Sequence, residues 1–165
     1  DIVFYMMGSF ASKARDAVDR LRDAGQKVGL LRPRLLRPFP AEAVAIALAG
    51  VSGVAVIDQN LSMGQGGVLH TELTASLYGR PEAPKVVASF VGGLGGREIA
   101  PEEFYQMAAV TRKALESGET PAPRLLYTEN ELREIRKLQA VAQVEREEST
   151  PLRWADRNPA GEDEA

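Results

Sequence analysis

No cysteine occurs in the 165 residues, and histidine is almost as scarce, with His70 alone. The first absence excludes disulfides and any cysteine-ligated iron–sulfur cluster held by this chain, and it agrees with a reducing compartment such as the cytoplasm. The second leaves no His-Glu-x-x-His pair and no second histidine for a metal. No serine at nucleophile-elbow spacing accompanies His70, so a Ser-His-Asp mechanism has no support and His70 is expected at the surface or in a contact. Long apolar runs are missing too. The longest are of strand length and are broken by Arg, Gly or Pro, far short of the roughly 20 residues that cross a bilayer, so no membrane span is expected.

Charge of one sign is also lacking where it would matter for nucleic acid. Residues 119–165 hold 11 of the 23 acidic and 7 of the 20 basic side chains, which leaves residues 1–118 at +1. A neutral body with 6% aromatics has no basic, aromatic-interleaved surface, so nucleic acid is not an expected partner. What remains, 44% apolar and 26% charged, is enough for one globular core and a tail. Asp1 leads straight into an apolar run without an initiator methionine, which suggests a piece of a longer polypeptide with a preceding domain.

Apolar periodicity predicts four β–α units. Residues 2–7 read as a strand ending at Gly8-Ser9, followed by a helix whose stripe of Phe10, Ala14, Ala17, Val18 and Leu21 stops at Gly25. Residues 27–36 read as a second strand, with Arg32 and Arg34 on one face with Leu30 and Leu36; residues 41–49 follow as an alanine-rich helix. Strand 51–58, helix 67–78, strand 85–91 and helix 101–117 complete the series. Strands joined by helical crossovers imply an α/β fold: a three-layer α/β/α sandwich with a mostly parallel sheet over residues 1–118, plus a C-terminal helical tail. The tail, residues 119–165, divides into a linker at 119–123, an amphipathic helix at 129–147 with Leu132, Ile135, Leu138 and Ala142 on one stripe, and a polar end at 158–165 expected to be disordered without a partner.

In such sheets functional groups gather at the carboxyl ends of the strands. Asp58-Gln59-Asn60 with Gly64, Gly66 and Gly67 presents a carboxylate, an amide and bare N–H groups at a helix start; without Gly-x-Gly-x-x-Gly or P-loop spacing, turn glycines with Asp58 or Asn60 as caps outweigh nucleotide binding. The run from Gly92 to Arg97 offers close backbone approach and one guanidinium, for a ligand or partner, or else for a salt bridge to an acid such as Glu98 or Glu102. Arg32, Arg34 and Arg37 form the basic cluster, best explained as a salt-bridge row at an edge or between domains. The acid pairs Glu102-Glu103 and Glu147-Glu148 read as helix-terminal or solvated charges.

Several motifs recur in one order: Met7-Gly8-Ser9, Lys27-Val-Gly-Leu-Leu-Arg-Pro-Arg34, Arg37-Pro-Phe-Pro40, Asp58-Gln-Asn-Leu-Ser-Met-Gly64, Tyr78-Gly79, Gly92-Gly-Leu-Gly-Gly-Arg-Glu-Ile99 and Pro101-Glu102. Across residues 2 to about 115 this order resembles the C-terminal domain of the α chain of pyruvate:ferredoxin and related 2-oxoacid:ferredoxin oxidoreductases, a domain similar to the C-terminal domain of transketolase. The resemblance implies an enzyme that decarboxylates a 2-oxoacid on thiamine diphosphate, reduces ferredoxin through iron–sulfur clusters and makes acyl-coenzyme A. Thiamine diphosphate, Mg²⁺ and the clusters would lie on other domains or subunits, so no catalytic, cofactor-binding or metal-binding residue is assigned here, and the fragment alone would be inactive. It would brace the assembly, meeting a preceding domain of the α chain and the other subunits, with Asn60, Ser62, Gly64 and Arg97 as candidate contacts. A transketolase-like enzyme without clusters and a stand-alone anion-binding module are the alternatives. The chain departs from the family at Gln65-Gly66-Gly67-Val68, where a bulkier residue and proline are more usual, and in its long tail.

Overall fold

The computed structural model describes residues 1–62 and 66–148. They divide into two units, Asp1–Tyr127 and Thr128–Ala165. In the first, β1 (Ile2–Met6), α1 (Ala11–Asp23), β2 (Val28–Leu31), α2 (Ala41–Leu48), β3 (Gly53–Asp58), α3 (Val68–Leu77), β4 (Val86–Val91), α4 (Pro101–Ser117) and β5 (Arg124–Leu125) follow one another. The five strands form one all-parallel sheet in the order β2-β1-β3-β4-β5. This is the expected three-layer α/β/α sandwich.

Period-two alternation sorts the strand side chains to the two faces. Phe4 and Met6 of β1, with Ala55 and Ile57 of β3, meet the small-residue stripe of α1 and the Phe104, Met107 and Ala108 face of α4. Phe4 and Phe104 pack edge to face at 5.7 Å, an arrangement the ring quadrupoles favour. Tyr5, Val54 and Val56 point the other way, onto Val44 and Leu48 of α2 and Leu69, Leu73 and Leu77 of α3. Both central strands are therefore buried on both sides, which is why they read as continuous apolar runs.

The second strand is shorter than residues 27–36. It ends at Leu31, opposite Tyr5, because Pro33 has no N–H to continue the ladder. Arg32 and Arg34 consequently leave the sheet and are exposed rather than sharing a strand face. Residues 119–123 are irregular as expected, but they lead into β5, whose two residues pair with Phe90 and Val91.

In the second unit a capping box starts α5 (Glu129–Glu148): the Glu131 carboxylate accepts the Thr128 N–H at 2.7 Å while the Glu131 N–H donates to Thr128 Oγ1 at 3.3 Å. Leu138, Val141 and Val144 of α5 are exposed. Residues 158–165 and the side chains of Glu147 and Glu148 lie outside the description. No helix among the described residues is long and apolar enough to cross a membrane.

Candidate functional site

The sheet changes direction of winding between β1 and β3, since β2 lies on one side of β1 and all later strands on the other. A crevice forms at the carboxyl ends of the strands on either side of such a point. Here it is a cavity of about 150 Å³ whose lining includes Met7, Gly8, Leu36, Gln59, Asn60 and Val68. The loops after β3 and β4 leave the same edge side by side, tied by a hydrogen bond from the Gly92 N–H to the Asp58 carbonyl at 2.9 Å.

Asp58 is the last residue of β3 and is only 2% exposed. Its carboxylate accepts the N–H groups of Leu69 at 2.8 Å and His70 at 3.0 Å, and the Asn60 side-chain amide at 3.2 Å. The Asn60 side-chain oxygen accepts the Val68 N–H at 2.9 Å. Three of the free N–H groups at the start of α3 are therefore taken by two side chains of the preceding loop, with the negative charge placed where the helix dipole favours it. Burial pushes the Asp58 carboxyl up, against the hydrogen bonds that pull it down. Gly67, at φ −98°, allows this: a Cβ there would fall inside the Asp58 carboxyl group, so the glycine serves close approach rather than an unusual backbone angle. Of the two roles open to Asp58 and Asn60 from sequence, the structure shows the cap.

Ser62 is half-buried and its N–H donates to the Gly66 carbonyl at 2.6 Å, closing a tight antiparallel bridge. Gly64 lies outside the described residues. His70 is half-buried with Nε2 3.3 Å from the Val87 carbonyl oxygen, a contact residue as expected.

Arg97 stands on the adjacent loop. The partner is neither Glu98 nor Glu102: the Arg97 guanidinium donates to Glu103 Oε1 at 3.0 Å, while Glu103 Oε2 accepts the Ala100 N–H at 2.7 Å. Glu103 is 3% exposed, so it is a buried acid and not a solvated one. It sits three residues past the α4 N-cap, where a carboxylate can reach back to the cap's own N–H; the Ala100-Pro-Glu-Glu103 pattern carried that signal. Glu98 instead pairs with Lys13. These two ion pairs hold the C-terminal end of the loop whose tip, Gly93 to Gly96, includes three glycines of positive φ and the exposed Leu94. Gln59, on the loop after β3, reaches the loops on either side, its side-chain oxygen near Gly8 after β1 and its amide nitrogen near Gly93 after β4. Asn60 and Ser62 thus share one loop at the carboxyl edge and Arg97 braces its neighbour. Sequence reasoning missed the buried, unpartnered hydroxyls of Tyr5 and Ser89, for which the residues give no signal.

Comparison with known proteins places the sequence in a family. Residues 1–104 match the model of the family described as pyruvate:ferredoxin oxidoreductase core domain II. The ketoisovalerate oxidoreductase subunit VorA of Pyrococcus furiosus is 40% identical over 127 residues, covering 77% of this chain and 32% of that protein. The pyruvate synthase subunit PorA of Methanothermobacter thermautotrophicus is 42% identical over 111 residues, 67% of this chain and 28% of that one. PorA of Methanosarcina barkeri is 35% identical over 133 residues, 80% and 33% respectively. The chain spans about a third of the length of these relatives. With the motif order, the all-parallel sandwich and the matched residues in agreement, the chain belongs to the pyruvate:ferredoxin oxidoreductase core domain II family, among the 2-oxoacid:ferredoxin oxidoreductases.

Proposed function

We propose that this chain is a bracing domain of a multi-subunit, thiamine-diphosphate-dependent 2-oxoacid:ferredoxin oxidoreductase of the cytoplasm. The whole assembly would oxidatively decarboxylate pyruvate or a related 2-oxoacid, giving CO₂, acyl-coenzyme A and reduced ferredoxin. Family membership supports the reaction class. The arrangement of Asp58 supports the bracing role.

A helix N-terminus at the carboxyl edge of a parallel sheet is the natural seat for a diphosphate. At α3 that seat does not fit the group: the N–H groups of Val68, Leu69 and His70 already donate to Asn60 and Asp58, and a phosphate brought there would meet a buried carboxyl group. The same geometry argues against a stand-alone anion-binding module. The loops at this edge spend their polar groups on holding their own shape, which suits a rigid rim against which cofactor-bearing domains rest. Asn60, Ser62 and Gly64 would contact those domains directly. Arg97, committed to Glu103, would act by holding the neighbouring glycine loop in place. Relatives are named for pyruvate and for ketoisovalerate, and the choice between such substrates would be made elsewhere in the assembly.

The test is to purify the native full-length protein with whatever accompanies it, assay iron and thiamine diphosphate, and follow coenzyme A-dependent oxidation of pyruvate and of ketoisovalerate with a low-potential dye. Iron, thiamine and turnover together are expected. A protein free of both overturns the proposal, and thiamine without iron transfers it to the cluster-free alternative.

A further inference from the structure

Between Asp23 and Glu42 the chain carries no acid; Lys27 precedes β2 at the amino edge of the sheet, whereas Arg32, Arg34 and Arg37 follow it at the carboxyl edge. Arg32 and Arg34 are exposed and have no ion pair or hydrogen bond among the described residues. Arg37 is 62% exposed and shares one acid, Glu72, at 2.6 Å. Leu35, between the arginines, is 48% exposed. On a body that is close to neutral, this is a concentrated positive ridge with an apolar point in it.

The ridge is held in shape. Pro33, Pro38 and Pro40 restrict its backbone, and Leu36 and Phe39 anchor it to the α2–α3 core. It also lies at a telling place. Leu31 stands opposite Tyr5, as Val56 does, so the chain beyond Leu31 leaves the sheet at the same carboxyl edge as the loop after β3. Leu36 and Asn60 line one cavity there. The ridge therefore continues the rim to which the bracing role is assigned.

We propose that Arg32, Arg34 and Leu35 form a docking surface for an acidic face of a partner subunit in the assembly. This rests on the bracing role proposed above. Guanidinium groups suit such a face because they are weakly hydrated and grip carboxylates through two parallel N–H donors. A preorganised ridge loses little side-chain and backbone freedom on docking, and Leu35 supplies an apolar contact that a purely ionic encounter lacks. A small anionic ligand suits the ridge less well, because neither Arg32 nor Arg34 lines the cavities formed among the described residues at β2, between α2 and α3, beside Asp58 or after α4.

The experiment uses the full-length subunit co-purified with its partners. Dissociation is followed by native mass spectrometry and sedimentation across a salt series for wild type, Arg32→Gln/Arg34→Gln and Arg32→Glu/Arg34→Glu. Melting of each isolated subunit serves as the folding control, expected unchanged because both side chains are exposed. Charge reversal is expected to weaken assembly on the order of 100-fold near physiological salt, with the neutral pair intermediate and its salt dependence flatter. A carboxylate on the partner, located by cross-linking and changed to lysine, is expected to restore assembly of the reversed variant. Wild-type affinity and salt dependence in the reversed variant overturn the proposal. So does unchanged assembly with lost binding of inorganic polyphosphate, which would assign the ridge to a phosphate ligand. Salt-sensitive assembly in a protein that turns over no 2-oxoacid would leave the docking surface standing and remove the functional reading.

Discussion

Replacing Gly67 by alanine isolates the close approach on which the α3 start depends. The residue's φ of −98° suits any amino acid, so the substitution carries no backbone strain. On propensity alone, exchanging a glycine N-cap for alanine would cost a few tenths to about 1 kcal/mol. The structure demands more, because the new Cβ would lie inside the Asp58 carboxyl group and ordinary carbon contacts need roughly 3.5 Å. Either β3 and α3 separate, at an overpacking cost of about 1–3 kcal/mol, or the carboxylate swings away. The second course abandons the buried Leu69 N–H and the half-buried His70 N–H, which costs up to about 1–3 kcal/mol for each orphaned donor. The cheaper course sets the outcome, so together with the lost glycine cap the expected loss is about 1–4 kcal/mol, read as a lower urea midpoint at unchanged slope. Gly95→Ala, where the backbone angle is positive but the space is open, is expected to cost about 1–2 kcal/mol. A Gly67→Ala loss below about 1 kcal/mol would refute the steric account.

Three further outcomes follow from the described contacts. Glu103→Ala removes the partner of Arg97 and the acceptor of the Ala100 N–H together, and is expected to cost about 3–5 kcal/mol, whereas Arg37→Ala, at a largely exposed pair, is expected to cost under about 1 kcal/mol in the same denaturation assay. Tyr5→Phe relieves a buried hydroxyl without a partner, so its melting temperature is expected to equal or exceed that of the parent. Burial pushes the Tyr5 phenol from 10.0 up to about 12; the native state resists its ionisation, so the Tyr5 contribution holds below pH 10 and is lost as pH climbs from 10 towards 12, a limb that Tyr5→Phe is expected to lack in alkaline melts.

The layers of the sandwich were legible because the apolar periods switch cleanly between two and 3.6. Helix α4 shows this best: proline at its first position and Gly118 in the left-handed conformation after its last mark both ends in the sequence. Two features escaped. The strand β5 has only two residues with exposed side chains, and its existence rests on backbone pairing to β4, which leaves no pattern in residue types. The second strand stops short of residue 36: apolar residues continue through Leu35 and Leu36, but the ladder needs the N–H that Pro33 lacks. At the site, motif position put these loops at the carboxyl edge of the sheet, where the structure has them, and Asp58 or Asn60 as a cap was one of the roles it left open. The partner of Arg97 was missed by one residue in the direction that matters, since Glu102 faces solvent while Glu103, one hundred degrees further round the helix, is buried.

The central claim, a domain that braces without taking part in the chemistry, is tested most directly by turnover per bound thiamine diphosphate in the full-length assembly carrying Asn60→Ala and Ser62→Ala. The account predicts that assembly and cofactor retention fall while turnover per retained cofactor stays within about threefold of the parent, as expected when only uniform positioning is lost. An intact, fully loaded assembly whose turnover per cofactor drops 100-fold or more, about 2.7 kcal/mol of transition-state stabilisation, would contradict it.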